Sequence, residues 1–434
     1  MADYLAFSGA PVTDLQQIDD PKFIIGPVFC AAMKMLSGLD PQCNSVQKNL
    51  SAMRLAVTNG TRSERSHAKA VEHMVLGEYS NAAKQWDAIL ADHPEDLLAQ
   101  KCAHETWFLL GDVPSMLATT TAVVERLSAD SPAYMVAAAQ HGFALEESGA
   151  YQAAEGWSRL ALEMEPTDCW ALHCLAHVYE AQNRHCDAMD LLEVKKVHWT
   201  RQNLLSAHIW WHLTLRLIEM EDYNGAMAVF DDTLSAVPAS NRFRLTDGTS
   251  LLWRLELAGV EVGDRWQLLA EKWGENAQLH TNPFLDLHAA LAFTNCSNSA
   301  AASMFFESLE ASFVGSGSEL AQTFNELVKP LVKALRFYKD DPAAAAKALE
   351  PLLPHIHKLG GSFVQRELVE RSYCSALLTT RQALRAEAFL QPKLACQPNS
   401  AWLLRSAARA KALTGDNVSA ALLNRRADLM FKRV

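Results

Sequence analysis

The sequence predicts an all-α fold, a right-handed solenoid of helical hairpins that curls into a superhelix with a concave groove. Two observations lead to this prediction. Alanine, leucine, glutamate, glutamine and methionine dominate, and runs of β-branched residues with a period of two are missing. In addition, one pattern recurs along the chain: a turn, a tyrosine, a small residue, an aromatic residue and a closing proline. Such repetition is typical of arrays in which each unit packs on its neighbours.

The recurring pattern occurs three times in its clearest form. It reads V-L-G-E-Y-S-N-A-A-K-Q-W-D-A-I-L-A-D-H-P at 75–94, E-S-G-A-Y-Q-A-A-E-G-W-S-R-L-A-L-E-M-E-P at 147–166 and E-M-E-D-Y-N-G-A-M-A-V-F-D-D-T-L-S-A-V-P at 219–238. This is the second half of a tetratricopeptide repeat of about 34 residues. The tyrosine and the alanine pack the two helices of a unit against each other, and the proline ends the second helix.

The turn residues set the register of the units. Gly77, Gly149 and Glu221 occupy the turn position, and the segments between them hold two further turns, at Gly111 and Asn183. We therefore predict five consecutive units over 63–240, namely 63–96, 97–130, 135–168, 169–202 and 207–240.

The remaining segments carry a weaker repeat signature. Residues 1–62 are predicted to form a segment that is loose over 1–20 and then provides capping helices, with one amphipathic helix from Pro27 to Leu39. Residues 241–281 are predicted to be an irregular helical insert. Residues 282–434 are predicted to form helical pairs of the same repeat type, most clearly at T-G-D-N-V-S-A-A-L-L (414–423).

Composition limits the classes of partner. The net charge of −11 argues against nucleic acid and anionic membranes as partners, and no run of 18 apolar residues predicts a membrane span. The nine cysteines include no C-x-x-C pair and lie mostly in apolar helical contexts, so we expect reduced thiols. No basic and apolar leader is visible at the start, and we expect a cytoplasmic protein for which a homo-oligomer stays open.

Histidine is concentrated in one part of the chain. Six of the fifteen histidines fall between His173 and His212, within W-A-L-H-C-L-A-H-V-Y-E (170–180), A-H-I-W-W-H-L (207–213) and the segment between them. The repeat register places His173, His177 and Glu180 on the concave side of one unit's first helix, with His208 on that side of the next. His67, Lys101 and Glu105 take concave positions in earlier units.

The histidines suggest two kinds of chemistry and one structural alternative. Imidazole serves as a metal ligand and as an acid or base near neutral pH, so His173, His177, His208 and His212 are candidate catalytic groups or ligands of a divalent metal. A zinc-protease reading fails because no glutamate follows His173 directly, and no G-x-S-x-G or Walker lysine is present. Histidines on solenoid helices also commonly just bond a neighbouring group, and that alternative stays open.

With these motifs the chain resembles the tetratricopeptide repeat protein 38 family. The resemblance is carried by R-S-E-R-S-H (62–67), A-H-E-T-W-F-L-L-G (103–111), the two histidine segments, S-L-L-W-R-L-E-L-A-G-V-E-V-G-D-R-W (250–266) and D-L-H-A-A-L-A (286–292). It implies the same solenoid fold and leaves the reaction undefined. It adds candidate groove residues that repeat packing does not require: Arg62, Glu64, His67, His104, Glu105, Asp286 and His288.

Three functions are compatible with these observations. The first is a binding solenoid that holds a small molecule or a peptide in a groove lined by the histidines, Trp211, Glu105 and Glu180; this lining favours a cationic, polar or metal-bearing ligand. The second is an enzyme, metal-dependent or using acid–base chemistry, with zinc, iron or manganese as candidate metals. The third is a scaffold for other proteins, with the histidines incidental.

Overall fold

A computed structural model of the protein describes residues 24–200, 205–296 and 300–430. Within these ranges the chain is helical with no strands, which confirms the predicted all-α solenoid. The loose segment predicted at 1–20 lies outside the described residues. The helices are α1 (Ile25–Leu36), α2 (Asn44–Ala56), α3 (Arg62–Val75), α4 (Tyr79–Asp92), α5 (Leu97–Leu110), α6 (Val113–Val124), α7 (Tyr134–Glu147), α8 (Tyr151–Met164), α9 (Cys169–Ala181), α10 (His185–Val194), α11 (Lys196–Trp199), α12 (Ser206–Glu219) and α13 (Tyr223–Asp232).

The second half of the chain continues in the same way after α13. Its helices are α14 (Arg242–Leu257), α15 (Arg265–Gly274), α16 (Pro283–Thr294), α17 (Ala300–Ala311), α18 (Glu319–Thr323), α19 (Lys329–Arg336), α20 (Pro342–Leu349), α21 (Phe363–Thr379), α22 (Ala383–Cys396), α23 (Ala401–Leu413) and α24 (Asn417–Leu429). Short 3-10 segments cover Val57–Asn59, Leu234–Ala236 and Glu350–Leu359, and a π segment covers Phe324–Val328.

Each of the five predicted units has a left-handed residue at its predicted turn position. Gly77, Gly111 and Gly149 have φ angles of 73°, 65° and 83°, and the non-glycine turn residues Asn183 and Glu221 have 55° and 60°. Each turn therefore reverses the chain with one left-handed residue, as the C-terminal end of a helix commonly requires. The first helices of these units are α3, α5, α7, α9 and α12.

Aspartates begin several of the helices that matter for the site. Asp96 accepts a hydrogen bond from the backbone of Ala99 at the start of α5, and Asp168 accepts from Trp170 and Ala171 at the start of α9. Such N-caps satisfy amide groups that have no partner inside the helix. They fix where α9 begins, and thus where its histidines lie along the superhelix axis.

The C-terminal helices close the superhelix onto its first half. Glu147, at the end of α7, accepts hydrogen bonds from the backbone of Phe363 and from Arg366 at the start of α21, at 2.8 and 3.2 Å. Glu219, at the end of α12, likewise accepts from Arg371 and from the backbone of Ala401. The groove of the first five units is therefore covered rather than open.

The N-terminal end of the array takes part in the same closure. The carbonyl oxygen of Gly38, just after α1, accepts a hydrogen bond of 3.0 Å from Arg242 and another from Thr281. Contacts between segments more than 200 residues apart thus join the start of the described chain to α14 and to the segment before α16.

Two further sequence-based predictions concern the cysteines and membrane-spanning helices. The nine cysteines form no disulfide bond with one another, and their reduced state stays a prediction. Among the residues that the structure describes, every helix is too short or too polar to cross a bilayer.

Candidate functional site

A chamber of about 400 Å³ lies at the centre of the closed superhelix. Its walls combine aromatic and aliphatic side chains with a small number of charged and polar groups, which is the usual make-up of a small-molecule site. Segments from both ends of the chain contribute. The lining residues are Met33, Leu36, Ser37, Leu39, Lys101, Glu105, Phe108, Leu109, Phe143, Trp170, His173, His177, Leu205, His208, Ser240, Asn241, Arg242, Phe243, Arg244, Phe284, Gly361, Ser362 and Gln365.

Four histidines converge beside this chamber. His173 and His177 lie one turn apart on α9, and His208 and His212 lie one turn apart on α12. One ring nitrogen from each lies within 4.8 Å of the others, and the Nε2 atoms of His173 and His177 are 3.0 Å apart. All four residues are buried, and the first three line the chamber.

Carboxylates lie behind three of the four rings. Asp247 on α14 is 2.8 Å from Nδ1 of His208, and Glu180 on α9 is 3.0 Å from Nδ1 of His212. Glu146 on α7 is 3.7 Å from Nδ1 of His177. A carboxylate at one ring nitrogen fixes the orientation of the imidazole and leaves the other nitrogen for a second partner.

Burial favours the neutral form of three of the four histidines. It lowers the pKa of His173, His177 and His208 well below the usual value for histidine, and the neighbouring cationic and imidazole groups lower it further. Glu180 is also buried, which raises its pKa, but Arg216 and His212 outweigh this and leave that pKa at about 2. The cluster thus pairs neutral imidazoles with an ionised carboxylate, the state that serves ligands and bases.

The chamber also collects cationic groups. Lys101 pairs with Glu105 at 2.7 Å, and Arg244 pairs with Asp247 at 3.2 Å. Arg242 is buried and bonds only the carbonyl oxygens of Gly38 and Leu279 and the hydroxyl of Thr281. No carboxylate of the described residues lies within ion-pair distance of Arg242, and its Nε has no partner.

Helix ends add to this positive character. The chamber is lined by the first residues of α9, α14, α16 and α21 and by Leu205, which precedes α12. The starts of α9, α16 and α21 are capped by Asp168, Asn282 and Ser362, whereas those of α12 and α14 have no side-chain cap and keep the partial positive charge of their unpaired amide groups. The lining therefore favours an anion, whereas the composition of the groove positions alone favoured a cationic or metal-bearing ligand.

Other residues predicted for the groove lie in or next to the chamber wall. Glu105 lines it directly. Trp211 is fully buried behind the cluster, with its ring stacked on His208 at a centroid distance of 5.1 Å. His104 packs against Phe143 and Trp170, and burial lowers its pKa to about 4.

Four predicted residues lie elsewhere. Arg62 is exposed at the start of α3. His67 is buried between Trp86, which donates to its Nδ1, and Asp96, which is 3.0 Å from its Nε2. Asp286 pairs with His280, and His288 bonds the carbonyl oxygen of Phe284. None of the four is among the described residues that line the chamber.

The sequence pattern missed the contribution of α14. Arg242, Arg244 and Asp247 lie in the segment predicted as an irregular insert, so no repeat register assigned them a face. The available signal was Asp247 itself, because a carboxylate within an otherwise apolar helix needs a buried partner.

Comparisons with known proteins give an architectural likeness. No family model matches the chain. A solved structure of the human IFIT1 dimer with PPP-AAAA aligns over 100% of this chain and 95% of that one, with 12% identity and a TM-score of 0.45. The human IFIT1 dimer with m7Gppp-AAAA and an IFIT1 monomeric mutant with Gppp-AAAA align over 100% and 99% of this chain, each with 12% identity and a TM-score of 0.39.

These neighbours correct one prediction. The net charge of −11 was taken to exclude nucleic acid, yet the IFIT1 structures hold oligonucleotides, PPP-AAAA among them. The exclusion was wrong as an argument because net charge describes the whole surface, whereas an enclosed site can carry the opposite local charge.

Proposed function

We propose that this solenoid binds a small anionic molecule in its central chamber. The observation that carries the proposal is Arg242, a buried cation in the chamber wall without a carboxylate at ion-pair distance among the described residues. Asp286 offsets this charge only from beyond ion-pair distance, and a buried charge so weakly compensated is costly, so an anionic ligand would stabilise it. The ligand class is a carboxylate or a phosphate carried on an apolar or planar body.

The size and walls of the chamber support a small molecule over a peptide. A volume of about 400 Å³ lies within the range of drug-sized sites, and the C-terminal helices cover the groove along which a peptide would lie. Phe108, Phe143, Trp170 and Phe243 offer aromatic contacts to the body of the ligand. The membership of the tetratricopeptide repeat protein 38 family that the motifs suggest is part of this proposal.

Calorimetric titration with matched probes tests it. We expect phenyl phosphate or benzoate to bind, and benzyl alcohol, which has the ring without the charge, to bind at least ten-fold more weakly. PPP-AAAA, the oligonucleotide of one IFIT1 structure, is a further arm that separates a free small anion from a phosphate at the end of an oligonucleotide. Equal affinity for the neutral and the charged probes would overturn the proposal.

Two arginine variants locate the binding. Arg244→Gln removes a cation whose side chain contacts only Asp247 among the described residues, and Arg242→Gln removes the buried one. Each substitution is expected to lower the affinity for the anion by about ten-fold or more, because a charge-assisted hydrogen bond contributes about 1.5–3 kcal/mol. Arg54→Gln, on the exposed outer face of α2, is the matched control and should leave affinity unchanged.

A second candidate function is catalysis in the same chamber. It is favoured by the three neutral imidazoles of His173, His177 and His208 that reach the wall, because a neutral imidazole can accept a proton from a bound molecule. Once an anionic ligand is known, turnover of that ligand by the native protein, lost in His208→Gln with binding retained, tests this candidate. If the native protein leaves the ligand chemically unchanged after prolonged incubation, the chamber binds the ligand but does not convert it.

A further inference from the structure

Several nitrogens of the histidine cluster lack a hydrogen-bond partner among the described residues. Nε2 of His212, on the side away from Glu180, is buried without one, and the Nε2 atoms of His173 and His177 contact only each other. Nδ1 of His173 and Nδ1 of His177 are also buried without a partner, the latter 3.7 Å from Glu146. Two neutral imidazoles can share a single proton in that contact. Burying a polar atom without a partner is unfavourable.

The carboxylates point to what would occupy the centre. Asp247 and Glu180 hold Nδ1 of His208 and His212, so the Nε2 atom of each ring is the one left for the cluster. Histidines that ligate metals almost always give their other ring nitrogen to a carboxylate, a carbonyl or water.

We propose that His173, His177, His208 and His212 together bind one divalent transition-metal ion. Imidazole nitrogen bonds zinc at about 2.0–2.1 Å, which places tetrahedral ligand atoms about 3.3–3.4 Å apart. The observed separations, from 3.0 Å to at most 4.8 Å, need only small side-chain rotations to reach this value. An all-nitrogen set suits zinc, copper, nickel or iron and is a poor match for magnesium or calcium, which prefer oxygen.

The position of the cluster gives the metal access to the chamber. His173, His177 and His208 line the chamber wall, whereas His212 lies behind them. Four imidazoles complete a tetrahedral site, so a ligand from the chamber side would be a fifth one, an expansion that zinc accepts. The chamber anion is that ligand; this second step rests on the proposed function, whereas metal binding itself does not.

The test uses the full chain, purified without a histidine tag, stripped with a chelator and titrated with Zn²⁺ against a chromophoric competitor. We expect one equivalent of Zn²⁺ to bind, and Co²⁺ in the same site to give the visible spectrum of a low-symmetry nitrogen environment. His173→Ala/His177→Ala should lose the tight equivalent. His93→Ala, an exposed histidine outside the cluster, should retain it.

Circular dichroism and thermal unfolding of each variant show whether it still folds. Because the double variant removes two buried rings, the titration of the native chain decides the matter if that variant unfolds. A folded native chain that takes up no Zn²⁺, Co²⁺, Ni²⁺ or Cu²⁺ tightly would overturn the proposal. A chain that binds the metal tightly but does not bind phenyl phosphate would overturn only the proposed anion site. A chain that binds phenyl phosphate but takes up no metal would overturn only the proposed metal site.

Discussion

At the residue scale, the cluster depends on which nitrogen each imidazole turns toward its carboxylate. Asp247 holds Nδ1 of His208 and also pairs with Arg244, so one carboxylate orients both a proposed metal ligand and a chamber cation. Asp247 lies 39 residues from His208 and on a different helix. It acts through His208 and is a positioning residue.

Asp247→Asn tests this positioning role. The amide keeps the shape of the side chain but weakens its hold on the His208 ring, and such changes typically cost about 10- to 100-fold in metal affinity. We expect that loss in the Zn²⁺ competition titration, with the stoichiometry still one. Asp231→Asn, whose surface carboxylate pairs with Arg265, is the control, and an equal loss in both variants would contradict the role of Asp247.

Asp168, at the start of α9, provides a test by pH. Burial raises the pKa of its carboxyl from 3.8 to about 7, although two backbone amides oppose the shift. Because the pKa of this carboxyl is higher in the folded protein than in the unfolded chain, where it is near 4, the protonated carboxyl adds to the free energy of unfolding below pH 4. This contribution is lost as pH rises from 4 through 7, and each pKa unit of difference between the two states corresponds to about 1.4 kcal/mol. Asp168→Asn keeps a cap without ionising, so its melting temperature relative to the native chain should rise between pH 5.5 and pH 8.

Asp416, the N-cap of α24, is the control for Asp168. Hydrogen bonds from Ser419 lower the pKa of Asp416, which therefore stays ionised across this range of pH. The difference in melting temperature between Asp416→Asn and the native chain should not change from pH 5.5 to pH 8. A difference that stays constant for Asp168→Asn as well would show that Asp168 does not titrate there.

At the element scale, the turns explain why the sequence was informative. The left-handed turn residues and the tyrosines fixed the register of five units, and this register placed the pairs His173/His177 and His208/His212 toward one groove. Helical periodicity then brought four rings together across α9 and α12. The repeat register wrongly predicted His67 as a groove residue. Its ring is buried and accepts a hydrogen bond from Trp86, because the register predicts which face of a helix a residue occupies but not its partner.

The closure of the superhelix lay outside what local patterns can specify. Glu147 and Glu219 end their helices with carboxylates that bond segments more than 150 residues away, and each looks like an ordinary surface residue in the sequence. Arg242 and Asp247 were missed for the same reason, since α14 has no repeat signature to orient it. Long-range contacts of this kind depend on the whole path of the chain.

Gly111 tests the closure at the turn between α5 and α6. An ideal Cβ at this position would lie 1.8 Å from the carbonyl oxygen of His357, whereas at Gly149 it would meet nothing within 4 Å. Both glycines are left-handed, so alanine at either should cost about 1 kcal/mol in conformational strain. We expect Gly111→Ala alone to displace the 350–359 segment and to speed amide hydrogen exchange at the start of α21. Equal exchange in the two variants would contradict a tight closure.

At the scale of the whole molecule, long-range contacts turn the groove into a partly covered chamber whose local charge differs in sign from that of the chain. The chain carries −11, while the chamber carries Arg242 and the uncapped starts of α12 and α14. Enclosure lowers the local dielectric constant and strengthens each charge interaction inside. A metal and an anion bound there would therefore support each other.

The metal is the central claim, and anomalous diffraction from crystals of the Zn²⁺-loaded chain tests it most directly. We expect one strong peak at the zinc edge, about 2.0–2.3 Å from one nitrogen of each of His173, His177, His208 and His212. A peak at any other place in fully loaded crystals, or four imidazoles that remain bonded only to one another, would contradict it.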